Sequence, residues 1–453
     1  MKRKNEELTT EYMFGKMPVW KAIIRNGFPA MIGMAMVLIY NLADTFFIGQ
    51  TGNPYMVAAV SLCTPVFLLF LAFSTIFGIG GTSVIARALG EGRRVYAGKV
   101  ASFCMWMCVA EGVILGGIFL LFGEPILRAI GASDDTIGYA LTYLRIVSVG
   151  GVFMAINNCF TNILRAEGQP NRSMIGQTMG NALNIVLDGL FILVFHWDVV
   201  GAAAATAIGN FAGAMFFIVY YLSGKSELGV SIRNFTFGEK VFSSVFAIGF
   251  PGALASLLMS LSQIVTNNLM AGYDDMALAG MGVAHRVCMI TGMLCMGLAM
   301  GVQPLLGFCV GARLWDRFKA ALRGSILIAF GLGSLLTILC YLFTKQLVGA
   351  FLTDPAAYEY AFRFVRIMLS TGFVIGTFFV LLHTIQAVGV AIPALIVNLS
   401  RQGLVYIPVL FVLRAAFGVY GLAWAQPAAD VVALILSIVF CAVAVKRVRA
   451  RQE

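Results

Sequence analysis

The chain has 453 residues, of which 60% are hydrophobic and only 11% charged, and its mean hydropathy is +0.90. Soluble domains carry about 25% charged residues, so this composition excludes a water-facing globular protein and implies an integral membrane one. The net charge of +10 does not mark a nucleic-acid binder, because the basic residues lie in short segments between apolar runs and form no patch or aromatic-interleaved stripe.

In chain order, the opening segment MKRKNEELTTEYMFGKMPVWK is polar and holds no short apolar core with a small-residue cleavage site, so no secretory signal is expected. A spanning helix needs about 20 mostly apolar residues. On that scale the sequence predicts twelve, at 22–49, 55–86, 100–122, 139–163, 172–196, 199–222, 243–271, 277–309, 324–344, 362–386, 392–413 and 419–445. The runs are continuous rather than alternating, which excludes a membrane barrel. The fold class is therefore all-α integral membrane.

Lys and Arg concentrate in alternate connections. They include Lys2, Arg3, Lys4, Lys16, Lys21 and Arg25, then Arg87 to Lys99, Arg165 and Arg172, Lys225 to Lys240, Arg313 to Arg323, and Lys446 to Arg451. The other connections carry almost none: Arg128, Lys345 and Arg414. This asymmetry predicts that both termini are cytoplasmic.

The two halves resemble each other. GFPAMIGMAMVLIYNL from Gly27 is echoed by GFPGALASLLMSLSQI from Gly249, and TYLRIVSVGGVF around Arg145 by RFVRIMLSTGFV around Arg366. The spacing stays close to 221 residues, or about six helices, so the repeats are parallel in topology. The expected organisation is two pseudo-symmetric six-helix lobes, 1–222 and 241–453, joined by the polar cytoplasmic segment 223–240. This is a transporter architecture.

Asp44 stands in the apolar run LIYNLADTFFIG, roughly 8 Å from the end of the first helix at 1.5 Å per residue. The same arithmetic puts Asp188 roughly 12 Å inside the fifth helix and Thr206 about 10 Å inside the sixth. Asn184 and Asp188 are four residues apart and share a helix face. Oxygen-bearing side chains from three helices thus converge at one depth. Burial disfavours an ionised carboxylate and a second one nearby adds to the cost, so such a pair is suited to hold a proton or an oxygen-coordinated Na⁺, with Asn184 and Thr206 as neutral ligands. The matched positions of the second half, Thr266 and Val409, carry no acid.

Weaker candidates surround this group. Pro29 permits a kink in the first helix, and Tyr40, one turn before Asp44, carries a phenolic donor. Asn157, Asn158 and Gln177 are candidates either to line a cavity or to bond a neighbouring helix. Arg286 has no sequence-near acid and is assigned to a structural tie or to substrate contact. Glu111 and Asp430 read as lone acids near cytoplasmic or interfacial positions, and the nine cysteines and three histidines show no metal-ligand spacing. Neither H-E-x-x-H nor G-x-S-x-G is present, so no enzyme is expected.

The segments NLADTFFIGQTG, AAVSLCTP, GIGGTSVIARALGEG, RAEGQPNRSMIG, NALNIVLDGLFI and GVYGLAWA together resemble the multidrug and toxic compound extrusion (MATE) transporters, particularly their DinF-like branch, over nearly the full length. The resemblance implies a bacterial cell-membrane secondary antiporter that exports cationic amphipathic drugs by alternating access in exchange for H⁺ or Na⁺. It implies no other cofactor and no obligate protein partner. It places the coupling ion on Asp44, Asn184, Asp188 and Thr206, and carries Pro29, Tyr40 and Asn157 over as gating or cavity positions. Relatives commonly have proline after the helix-5 acid, where Gly189 stands here, and the acidic second-lobe site of another branch is missing. The rival reading is a lipid-linked sugar or amphiphile flippase of the same superfamily, which would favour an Arg- and Lys-rich cavity.

Overall fold

The computed structural model describes residues 10–50, 53–352 and 354–452, and helices are the only regular elements among them. Lys2, Arg3 and Lys4 lie outside the described residues. The spans are α1 (Val19–Gly49), α2 (Pro54–Gly90), α3 (Arg94–Ile130), α4 (Asp134–Ala166), α5 (Pro170–Val194) and α6 (Asp198–Leu222). They continue with α7 (Val241–Ala271), α8 (Asp275–Gly311), α9 (Trp315–Leu342) and α10 (Pro355–Val388). The last helical stretch, Ala391–Gln452, would be roughly 90 Å long at 1.5 Å per residue, about three bilayer cores. Gly418, at φ 60° and ψ −136°, breaks it into α11 (391–417) and α12 (419–452), which gives the twelve spans expected.

Local chemistry sets the ends. Asn53 caps α2 by accepting from the Tyr55 amide, Asp354 caps α10 through the Ala356 and Ala357 amides, and Gly131 and Gly389 close α3 and α10 in the left-handed conformation. With its start at Pro355, α10 is longer than expected and takes in Glu359, an acid the sequence reading left outside the helix. Glu359 is exposed and paired with Arg363 at 2.7 Å, so it adds no buried charge.

Packing divides the chain into two compact units, Met1–Met34 with Phe250–Glu453, and Ala35–Gly249. The repeat boundaries describe ancestry and these units describe packing, so the two need not coincide. Within Ala35–Gly249, Phe70 meets Phe119 at 5.6 Å in a core that includes Ile48, Cys63, Leu127 and Leu144. The 223–240 segment is fastened onto this unit. Phe103 of α3 stacks on Phe235 at 5.8 Å and meets Phe237 edge-on at 5.6 Å, and Lys99 pairs with Glu239. Glu167, after α4, accepts from the Ser226 hydroxyl at 2.6 Å, from the Tyr221 hydroxyl at 3.4 Å and from the Glu227 amide. Burial outweighs these donors and pushes the Glu167 carboxyl up to about 7.

In the other unit, Arg317 donates to the carbonyls of Phe14 and Met17 at 2.5 Å, and Phe14 packs on Phe308 at 5.7 Å. The first turns of α1 lie so close to α8 that a Cβ on Gly301 would stand 2.4 Å from the Asn26 carbonyl. A matching approach of α7 to α2 occurs in Ala35–Gly249, where a Cβ on Gly249 would lie 2.0 Å from the Ile76 carbonyl. Helices without a hydrophobic drive between them associate through such small-residue contacts.

Gly249→Ala should therefore lower the thermal midpoint of the detergent-purified protein by the equivalent of about 1–3 kcal/mol, the usual cost of overpacking. Gly117→Ala, where a Cβ meets nothing within 4 Å, should leave the midpoint unchanged.

Candidate functional site

The polar side chains of α5 and α6 meet because the two backbones touch. A Cβ on Gly180 would stand 2.8 Å from the Gly209 carbonyl, and one on Gly209 would stand 2.8 Å from Asn184 Cβ. At that separation the Asn184 Nδ2 donates to Thr206 Oγ1 at 3.3 Å. Asn210, one turn after Thr206, donates to the Thr206 carbonyl at 3.0 Å and accepts from Asn157 Nδ2 at 3.4 Å. Tyr40 of α1 stands near Thr206 and the two acids. Asp188 lies one turn beyond Asn184 with no exposed surface, and Asp44 and Asp188 are within electrostatic reach of each other.

Asp44, Asn184, Asp188, Thr206 and Tyr40 thus occupy one place within the unit Ala35–Gly249, with Asn157 joined to them through Asn210. The group is rich in acceptors. Asp44 Oδ1, both Asp188 oxygens and Asn184 Oδ1 are buried, and none has a hydrogen-bond partner among the described residues. Buried polar atoms are ordinarily paired, so four unpaired oxygens in one place is a marked exception. Such a set suits a proton or a hard cation, for which carboxylate and amide oxygens are the ordinary ligands.

Immediately after Asp188 the helix opens into a π-helical turn, Gly189–Val194. Gly189, which stands where relatives commonly have proline, is the first residue of this turn, and the π turn interrupts the regular ladder. Single π turns recur at functional sites in α-helices.

Other candidates lie elsewhere. Gln177 accepts from Arg165 Nη2 at 3.3 Å, and Asn158 donates to Ser74 at 2.8 Å, so both bond a neighbouring helix. Arg286 is exposed, with its guanidinium 5.9 Å from the Phe351 ring. It belongs to the other unit, as does Pro29, through which α1 runs as one helix. Two neighbours were missed. Asn210 was detectable as the residue four after Thr206, whereas Tyr143 of α4, buried and within reach of Asp44 and Asp188, carried no signal. The two acids read as lone and near-interfacial need different corrections. Glu111 has no partner for either carboxylate oxygen among the described residues, but it is buried near the middle of α3 rather than near an interface. Asp430, by contrast, is not alone and is paired with Arg401 at 2.8 Å.

The family model MatE matches this chain twice, over residues 29–190 and 251–412. The chain is 32% identical over 425 residues to the multidrug export protein MepA of Staphylococcus aureus, covering 93% of this chain and 92% of that one. It is 31% identical over 438 residues to MepA of Staphylococcus saprophyticus, covering 96% and 95%. Among solved structures, an outward-facing multidrug resistance MATE family transporter of the MOP superfamily superposes with a TM-score of 0.90 at 25% identity, covering 98% of each chain.

The α5–α6 contact generates a test. Gly209→Val should push Asn184 away from Thr206 and remove any thermal-midpoint shift that Na⁺ or acid produces in the wild-type protein, with the variant still inserted and monodisperse by size exclusion. An unchanged shift would mean that the contact does not organise the site.

Proposed function

The chain belongs to the MatE family of multi-pass membrane transporters, and on that premise we propose that it is a secondary active multidrug antiporter, exporting cationic amphipathic compounds in exchange for inward H⁺ or Na⁺. The observation that carries this reading is the excess of acceptors at Asp44, Asp188 and Asn184. A group with four unpaired oxygens attracts positive charge, and a coupling ion and a cationic drug are both positive.

The proposed cycle follows from competition and linkage. An ion on the Asp44 and Asp188 carboxyls, with Asn184 and Thr206 as neutral partners, cancels the charge that would hold a cationic drug, so loading the ion favours drug release. For that exchange to do work, the ion must bind the outward- and inward-facing states unequally. One charge crossing 100 mV contributes about 2.3 kcal/mol, but a singly charged drug leaving against the same potential costs as much. One-for-one exchange is therefore driven by the ion's concentration gradient, and the potential adds to it only when more than one ion enters per drug. In this scheme the first repeat carries the coupling, both termini are cytoplasmic, and the protein resides in the plasma membrane. The apolar helices also offer the promiscuous contacts that a multidrug substrate range needs.

Proteoliposomes with separately imposed sodium and pH gradients test the proposal and identify the ion. Asp44→Asn and Asp188→Asn should each reduce ion-driven efflux of an organic cation by about tenfold or more, with expression and insertion retained. Wild-type efflux by either variant would refute the site.

A further inference from the structure

The α5–α6 pair that carries the buried acid site also holds a groove between the first turns of α5 and the last turns of α6. The groove has a volume of about 360 Å³ and is lined by these two helices and the turn that follows α6. Gly176 lets the α6 rings lean onto α5, since a Cβ there would stand 2.4 Å from the Phe217 ring and 2.8 Å from that of Phe216. After Leu222 the chain turns back through Gly224 at φ +68°, and the buried Tyr220 hydroxyl donates to the Lys225 carbonyl at 3.3 Å. Lys225 thereby lines the same groove as Arg172, which stands in the first turn of α5.

The two ends of the groove differ in kind. Arg172 and Lys225 stand exposed at the rim, and neither side chain has a hydrogen bond or ion pair among the described residues. Glu167 and Glu227 reach Tyr220 electrostatically, yet neither neutralises the rim: the Glu167 carboxylate accepts from the Ser226 and Tyr221 hydroxyls instead. Away from the rim the walls are apolar, with Met179 on α5 facing Ala212, Met215 and Val219 on α6. Arg172 to Met179 and Ala212 to Val219 are each seven steps along a helix, so the trough runs roughly 10 Å at 1.5 Å per residue. Met179, Met215 and Val219 are exposed, whereas Asn184 and Asp188 are buried, so the trough opens on the outer side of the pair.

We propose that this groove binds one anionic phospholipid of the adjoining leaflet, with its phosphate between Arg172 and Lys225 and an acyl chain along the trough. Two unpaired cations above an apolar channel match a molecule with a negative head and a hydrocarbon tail. Arg172 offers a planar fork to a phosphate and Lys225 a mobile point charge, and basic pockets between spanning helices are where anionic headgroups collect. A free phosphate would leave the trough unused, and a cationic amphiphile would meet like charge at the rim. The inference rests on the membrane-spanning fold alone and is independent of the drug-export and ion-coupling readings.

The probes are dioleoyl phosphatidylglycerol and dioleoyl phosphatidylcholine, titrated into purified full-length protein in a neutral detergent, with bound lipid counted by native mass spectrometry. Wild type should hold one phosphatidylglycerol molecule about tenfold more tightly than phosphatidylcholine. Arg172→Gln and Lys225→Gln should each weaken phosphatidylglycerol by about fivefold and together bring it to the level of phosphatidylcholine, with the lipid-free thermal midpoint unchanged. Lys319→Gln with Arg323→Gln removes two exposed cations of α9 in the other unit and should change binding less than about twofold. Ala212→Trp, which fills the trough and leaves both cations, should weaken both lipids by about fivefold. No preference in wild type, a preference that survives the double Arg172 and Lys225 variant, an equal loss in the α9 variant, or unchanged binding by Ala212→Trp would each overturn the assignment. Displacement of the lipid by millimolar inorganic phosphate would overturn it too, by making the rim a site for the free anion.

Discussion

The approach of α5 to α6 fixes the rest of the candidate site. Gly180 and Gly209 let the two backbones come into contact, and this contact brings Asn184 to Thr206, with Asp188 one turn on and within electrostatic reach of Asp44. Any side chain at either glycine would have to displace backbone or the Asn184 Cβ. In a membrane-embedded bundle this constraint is sharp, because the polar groups left apart by a wedge find no water to replace one another. The unpaired acceptors of the site are thus a product of tight packing rather than of loose fit.

The second repeat uses the same junction differently. Arg401 and Asp430 hold α11 and α12 together by charge, with Thr371 and Gln426 completing the carboxylate. A buried ion pair is poor evidence for stability, since desolvation offsets most of its attraction, and a glycine contact would have served to join the helices.

Much of this was legible in the sequence. Span positions followed from hydropathy because the apolar requirement of the bilayer acts on whole segments, and the Asp44, Asn184, Asp188 and Thr206 group followed from counting depth along neighbouring helices. What could not be read was direction. Gln177 and Asn158 turn toward Arg165 and Ser74, which depends on helix rotation, and Tyr143 joins the acids from α4 without any spacing that announces it. The π turns at Gly189–Val194 and Ser400–Leu404 each insert an extra residue per turn, so a regular 3.6-residue wheel drawn through them loses phase. For that reason Arg401 could not be aligned with Asp430 from sequence, and the acid read as solitary.

The depth of the acid pair bears on how voltage would act in the proposed cycle. An ion that enters from one side and leaves on the other crosses the whole field wherever it pauses, so site position does not change the total work available. It changes where that work is applied. Asp44 stands five residues before the end of α1 at Gly49 and Asp188 six before the end of α5 at Val194, so the ion reaches them through a small part of the apolar thickness. In the proposed cycle the bound ion cancels charge on the carboxylates, so the loaded site carries little net charge through the conformational step. A negative interior would accordingly act on any state that moves with its carboxylates uncancelled more than on the ion-loaded form. Loading is left to the ion's concentration and to the affinity that four unpaired oxygens supply.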